Sequence, residues 1–361
     1  MKLFHLVANV DPINYGVWHA VVASWPYLKE ISNTECILCY PDNRSHTPVE
    51  LQGISLQLLS GNPTKDLITL STMIDVPSDT LIISHGVWSY QSRLACLLKN
   101  RGLKWVAVPH GMLEPWSMRH KWLKKQLYYT IAERKRLLKA DALMAVGFPE
   151  YENLSRRFRR VEHVPNGIEP FRGTIAKQGG RLEFLFLGRL HRKKNIVPLV
   201  RAWIAAGLAG SDSCRLRIAG PDEGELAMVR SLIASSAARN ISVEGPVYGA
   251  EKDRLLREAH FFVLPSHSEG FPTSVLEGMT YGCIPMISRG CNFPEVFTQD
   301  LAIETRPDEQ AIVKSLRWAA SLDTGRISQL SLLAKRFVDD RYDIAVLARR
   351  QYAMYCELLS L

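Results

Sequence analysis

A chain of 361 residues with 47% hydrophobic content has room for two α/β domains, each with its own core. No apolar run approaches the roughly 20 residues of a membrane span, and the start of the chain lacks the pattern of a secretory leader. A cytoplasmic location is therefore expected. The net charge of +9 is gathered rather than spread: residues 119–139 hold eight Lys or Arg against Glu133 alone, and 156–160 hold four arginines.

In chain order, a first strand is expected at 3–8 and a loop through Asp11, Asn14 and Gly16, then a helix over 18–30. Strands at 35–40 and 54–59 and a helix over 65–74 come next. Further strands at 80–84, 104–108 and 142–146 are separated by helices over 90–99 and 119–138. Steady alternation of strand and helix means a parallel sheet covered on both faces. A short strand at 161–164 ends in the Pro165-Asn166-Gly167 turn. Residues 169–181, rich in Gly and without period, read as a linker between a first domain (1–168) and a second (182–340). The second domain repeats the alternation, with strands at 182–187, 215–219, 241–244, 261–264 and 284–287. A last helix (341–361) is long enough to cross back to the first domain.

Open α/β sheets place ligands in the loops after their strands, so those loops are the candidates. After residue 187 comes Gly188-Arg189-Leu190-His191-Arg192-Lys193-Lys194-Asn195, four cations in six residues ahead of a helix start at Asn195. It suits a diphosphate: Arg grips two oxygens and Lys adds a point charge. Gly220 opens a turn after the next strand. Gly245-Pro246-Val247-Tyr248-Gly249 follows, where backbone and the Tyr248 ring could flank a nucleobase. After residue 264 a polar loop carries Glu269, Gly270 and Phe271. Pro272 is expected at a first helical position, with Thr273 and Ser274 satisfying free N–H groups, and Glu277 lies within that helix. A glycosidase-type acid pair is disfavoured because Glu277 sits two turns beyond the loop. In the first domain, His85-Gly86 and His110-Gly111 follow successive strands, and Glu114 and Trp116 extend the second of these loops.

The basic stretch 119–139 interleaves its charges with Trp122, Leu123, Leu127 and Ile131, which suits an anionic membrane surface. No nucleic-acid recognition motif accompanies it. Seven scattered cysteines suggest reduced thiols, and Cys36 and Cys39, in an apolar strand, read as core.

Four motifs together resemble the retaining glycosyltransferase family 4: Glu269 and Glu277 as E-x7-E, Gly188-Arg189-Leu190 with Lys194, Pro165-Asn166-Gly167-Ile168, and Pro109-His110-Gly111-Met112-Leu113-Glu114-Pro115-Trp116. The last is similar to a subgroup common in bacterial exopolysaccharide and lipopolysaccharide assembly. The resemblance implies a GT-B fold, two Rossmann-like domains facing across a cleft, and a nucleotide-sugar donor, UDP- or GDP-linked, bound mainly by the second. It implies that Arg189 and Lys194 bind the diphosphate, that Glu269 with the Gly270 and Phe271 backbone holds sugar hydroxyls, that Glu277 reaches the ribose, and that His110 contacts the donor sugar. Gly16, Gly188, Gly220, Val247, Tyr248, Pro272 and Thr273 complete the donor side. His85, Glu114, Trp116 and Arg119 fall to the acceptor side. No metal or other cofactor is implied, and retention without an enzyme nucleophile fits a front-side displacement. The family often has two glycines after the first strand where this chain has Gly16 alone. The expected partners are the nucleotide sugar, a glycan or lipid-linked acceptor, and an anionic membrane at 119–139 and 156–160. A sugar-nucleotide epimerase or phosphorylase, or a silent sugar-nucleotide-binding partner, are the alternatives.

Overall fold

The computed structural model describes residues 1–10, 15–41, 51, 53–119, 122–175, 177, 180–236 and 238–360. The chain folds as two units, Met1–Glu169 with Ile344–Leu361, and Pro170–Asp343.

The first unit is built on a seven-stranded sheet: β1 (Lys2–Leu6), β2 (Glu35–Pro41), β3 (Ser55–Leu59), β4 (Thr80–His85), β5 (Lys104–Val108), β6 (Ala142–Ala145) and β7 (Val161–His163). Their order is β3-β2-β1-β4-β5-β6-β7, and the described pairings are parallel. The central strands carry near-continuous apolar runs because both faces are covered, and Trp105 on β5 is fully buried. Its indole N–H donates to Ser84 Oγ at 2.9 Å, which removes the cost of burying that donor. The helix Tyr15–Ile31 packs against the chain's last helix, Ile344–Ser360, within this unit.

The second unit has six strands: β8 (Leu182–Leu187), β9 (Cys214–Ala219), β10 (Ile241–Gly245), β11 (Phe261–Leu264), β12 (Ile284–Ser288) and β13 (Ile303–Thr305), ordered β10-β9-β8-β11-β12-β13 and parallel throughout. Both units are doubly wound, so each has a switch point where successive strands leave in opposite directions. These lie between β1 and β4, and between β8 and β11.

Three sequence expectations change. Of the linker expected at 169–181, the described residues from Pro170 onward belong to the second unit. There the Phe171 N–H donates to Thr280 Oγ1 at 2.9 Å, and its ring stacks on Tyr281 at 4.3 Å. β13 carries no strand signal in the sequence, because three residues give too little pattern. The single helix expected over 119–138 is interrupted. A short helix Pro115–Arg119 precedes Trp122–Tyr128, a π-helical turn spans Tyr129–Glu133, and Arg134–Leu137 follows. The π turn inserts one residue, which lets Tyr129 and Leu137 both stay buried while Trp122, Leu123, Leu127 and Ile131 are more than half exposed.

Candidate active site

In the second unit the loops after β8 and β11 meet at the switch point. The β8 loop forms a 3-10 turn, Arg192–Lys194, that aims Lys194 at Glu269 from the β11 loop, with Nζ 2.8 Å from Oε1. Both side chains are mostly buried, 14% and 11% exposed. Burial opposes ionisation of Glu269, but the adjoining Lys194 ammonium outweighs it, with help from Ser266 and Lys193, and the carboxyl sits below its ordinary range. The backbone fixes this geometry. The His267 N–H donates to Lys193 O at 2.9 Å, the Glu269 N–H to Gly290 O at 2.7 Å, and Asn292 Nδ2 to Glu269 O at 2.7 Å. A Cβ at Gly290 would lie 2.5–2.6 Å from the carbonyl oxygens of Ser266 and His267, so only glycine allows the loops this close.

Asn195 stands at the expected helix start, but its backbone is left-handed (φ 63°) and its amide donates to Pro307 O at 2.8 Å instead of capping the helix Ile196–Ala205. Arg189 is gripped by both oxygens of Glu223, at 2.7 and 2.9 Å, which holds the guanidinium at 42% exposure. Gly188 and Gly220 lie back to back at the ends of β8 and β9. The Gly188 N–H donates to Ala219 O at 2.9 Å, and the Gly220 N–H to Gly245 O at 2.7 Å.

The helix Thr273–Thr280 begins one residue later than expected. Pro272 occupies the cap position, and no side chain caps the first-turn amides. The Thr273 N–H turns back to Phe271 O at 3.1 Å and the Val275 N–H to Pro272 O at 2.9 Å, so this helix end, with Gly270 and Phe271 just before it, contributes the positive end of the helix dipole rather than open donors. Phe271 packs against Phe293 and Tyr342 at about 6 Å. Glu277 pairs with Lys252 (3.1 Å) on the helix Gly249–Glu258. Tyr248 stands at the N-cap position of that helix without a side-chain capping bond and is 68% exposed, whereas Val247 is buried.

In the first unit, His5 on β1, His85 ending β4 and His110 after β5 form a hydrogen-bonded row. His5 Nδ1 lies 2.9 Å from His85 Nε2, and His85 Nδ1 lies 2.9 Å from His110 Nε2. His85 is 3% exposed and both its nitrogens are engaged, leaving neither for an acceptor. His110 is left-handed (φ 53°), as is Gly111 (φ 73°). Glu150, at 1% exposure, stabilises this turn by accepting from the Gly111 N–H at 2.6 Å and the Val146 N–H at 3.0 Å. Burial pushes the Glu150 carboxyl up to about 7. Glu114 is also buried and accepts from Asn153 at 3.1 Å. Trp116 and Arg119 lie in the helix Pro115–Arg119, their side chains outside the described residues. Gly16 is in the first turn of Tyr15–Ile31, and the loop before it, 11–14, is also outside them.

Sequence reasoning missed Glu223, Lys252, Gly290, Asn292, His5 and Glu150. Gly290 and Asn292 carried a usable signal, since they follow a strand as the other glycine loops do. His5 did too, as a polar residue inside an apolar strand. The acids Glu223 and Glu150 had none, because their partners come from other loops.

Burial holds His5 down at about 3, His85 well below its ordinary value, with nearby His110 and His5 contributing, and His110 at about 4. An unfolded histidine titrates near 6.5. Between pH 7 and 4 the unfolded chain therefore takes up protons that the folded chain refuses, and stability falls as pH falls. The expected loss from His5 alone is about 2 kcal/mol at pH 5, at 1.36 kcal/mol per unit. Urea unfolding at pH 7.5 and 5.0, followed by tryptophan fluorescence, tests this, because six of the eight tryptophans lie in the first unit. His5→Leu should flatten the pH slope. An unchanged slope would refute the account.

Two doubly wound parallel α/β units, each with polar loops at the carboxyl ends of its strands, define the GT-B architecture. Residues 168–329 match the family described as Glycosyl transferases group 1. Residues 168–329 thus carry a glycosyltransferase group 1 domain, and the chain is a glycosyltransferase similar to family 4. It is 21% identical to a GDP-mannose:cellobiosyl-diphosphopolyprenol alpha-mannosyltransferase from Xanthomonas oryzae pv. oryzae, over 98% of this chain and 100% of that one. Its fold is similar to that of a glycosyltransferase from Rickettsia africae (TM-score 0.77, 16% identity, covering 99% and 98% of the two chains). An Anabaena protein solved in complex with UDP and glucose is similarly close (TM-score 0.75, 13% identity, 99% and 100%).

Proposed function

We propose that this enzyme moves a hexose, with retention, from a GDP-sugar to a glycan carried on a lipid diphosphate at the inner face of the cell membrane. The observation that carries the reading is the Lys194–Glu269 pair at the second unit's switch point, beside the uncapped helix Thr273–Thr280. When a glycosyl–phosphate bond breaks, negative charge grows on the departing β-phosphate. Lys194 and Arg189, with the positive end of the helix Thr273–Thr280 adjoining them, meet that charge without reorganising, and no metal is called for. The ion pairs to Glu269 and Glu223 hold both cations in place until phosphate oxygens compete for them. Glu269 accepts from sugar hydroxyls, Glu277 from the ribose, and Tyr248 offers a ring face to the base. A donor phosphate oxygen takes the acceptor's proton, so no enzyme nucleophile is needed. The relative's donor and acceptor, named as GDP-mannose and cellobiosyl-diphosphopolyprenol, supply the choice of GDP-mannose and of a lipid-linked acceptor.

Melting shifts with GDP, UDP, ADP and their sugars test the donor. GDP-mannose at 100 times its Kd is expected to add about 2.7 kcal/mol of stability to the unit that binds it. A shift with UDP-sugars alone would overturn the GDP choice. Turnover of GDP-mannose without acceptor, giving an isomeric nucleotide sugar, would overturn transfer itself. Docking on membrane would use the face of Trp122–Tyr128 that exposes Trp122, Leu123 and Leu127 beside Lys124. No described helix is long and apolar enough to cross a membrane. Binding to vesicles should therefore require anionic lipid, and equal binding to neutral vesicles would refute the electrostatic part.

A further inference from the structure

The row His5–His85–His110 spans the switch point of the first unit; the family resemblance gives His110 a contact with the donor sugar, expects His85 on the acceptor side and gives His5 no role. The ring planes are inclined by 25° and 26°, so each nitrogen lone pair lies close to the plane of the ring it meets. A neutral imidazole carries one N–H and one bare nitrogen. His85 therefore donates to one neighbour and accepts from the other, and the protons of all three rings must be ordered in the same sense along the row. In one order His85 Nδ1–H donates to His110 Nε2 and the proton of His110 sits on Nδ1. In the other, His110 Nε2–H donates to His85 Nδ1 and His110 Nδ1 is bare. Either order fixes His110 in a single tautomer. It also leaves Nδ1 as the only ring nitrogen that can reach a substrate.

We propose that His85, supported by His5, is a positioning residue that sets the tautomer and orientation of His110 and so determines what its Nδ1 presents to a substrate. The backbone serves the same end. A left-handed conformation at a non-glycine residue costs on the order of 1 kcal/mol or more and persists only where its surroundings enforce it. Here Glu150 holds the adjoining amide, and the Gly86 N–H donates to Val108 O at 2.7 Å. The Gln91 side-chain amide donates to His85 O at 3.1 Å, which anchors the middle member. Burial keeps all three rings neutral, as the single-proton ordering requires.

The inference rests on the reading of His110 as a sugar contact, and its test separates the two. An asparagine at 85 places an amide where Nδ1 stood and can keep the bond to His110. A glutamine places it where Nε2 stood and keeps only the bond to His5, and leucine keeps neither. Nitrogen-15 spectra of histidine-labelled protein are expected to show one tautomer of His110 in wild type and His85→Asn, and tautomer averaging in His85→Gln and His85→Leu. With GDP-mannose as donor, kcat is expected to fall no more than about fivefold in His85→Asn and about 10²-fold in the other two, with KM little changed. Circular dichroism and melting confirm folding in each. An unaltered His110 tautomer in His85→Leu, or equal kcat in His85→Asn and His85→Leu, would overturn the positioning role. Wild-type transfer by His110→Ala would instead overturn the sugar contact, whatever the spectra show.

Discussion

Lys194→Ala is expected to lower kcat for sugar transfer by about 10³-fold with a smaller change in KM, because its charge matters most where leaving-group charge has grown. The same change leaves Glu269 mostly buried without its 2.8 Å partner, and an uncompensated buried carboxylate costs about 3 kcal/mol. The single variant therefore confounds folding with chemistry. The double variant Lys194→Ala with Glu269→Gln removes the stranded charge and should recover most of the lost stability while remaining inactive. Transfer within tenfold of wild type by either folded variant would refute the assignment of Lys194. Recovery of activity along with stability in the double variant would show that the pair is structural.

Gly220→Ala should be nearly as damaging through backbone alone. Gly220 has φ 141°, and a Cβ there would lie 2.0 Å from Gly188 O and 2.6 Å from Gly188 C. Neither atom belongs to a flexible side chain, so the start of the β8 loop must shift, and Arg189 and Lys194 with it. A stability loss of about 3 kcal/mol and a loss of donor binding of at least tenfold are expected. Gly224→Ala is the control. Its φ is 102° but nothing lies within 4 Å of its Cβ position, so it should cost only about 1 kcal/mol of backbone strain. Melting and calorimetric titration with the nucleotide distinguish the two. Equal behaviour of the two variants would contradict the steric argument.

The strands were legible because parallel strands covered on both faces are short apolar runs bounded by turns. β8 and β11 coincide with the runs 182–187 and 261–264. The basic helix was misread because a one-residue π insertion leaves the apolar period nearly intact on either side of it. Pro272 was expected inside its helix and is the cap, a difference decided by the chain's path from Phe271 rather than by proline's φ. Among the site residues, those grouped in one loop were found together, and those joined only by the fold were not.

By itself the sequence determined the doubly wound class, the glycine-bearing loops after the strands, and the candidate cations and acids at Arg189, Lys194, Glu269 and Glu277. These depend on local spacing, which a linear chain displays. The tertiary structure alone decided which charges meet. Strand order brings β8 beside β11, and so Lys194 to Glu269 across 75 residues. It brings β1 beside β4, and so a histidine near the start of the chain to His85, 80 residues on. Lateral neighbours in a parallel sheet are set by the packing of the crossover helices against its faces, and no residue's identity records who its neighbour will be.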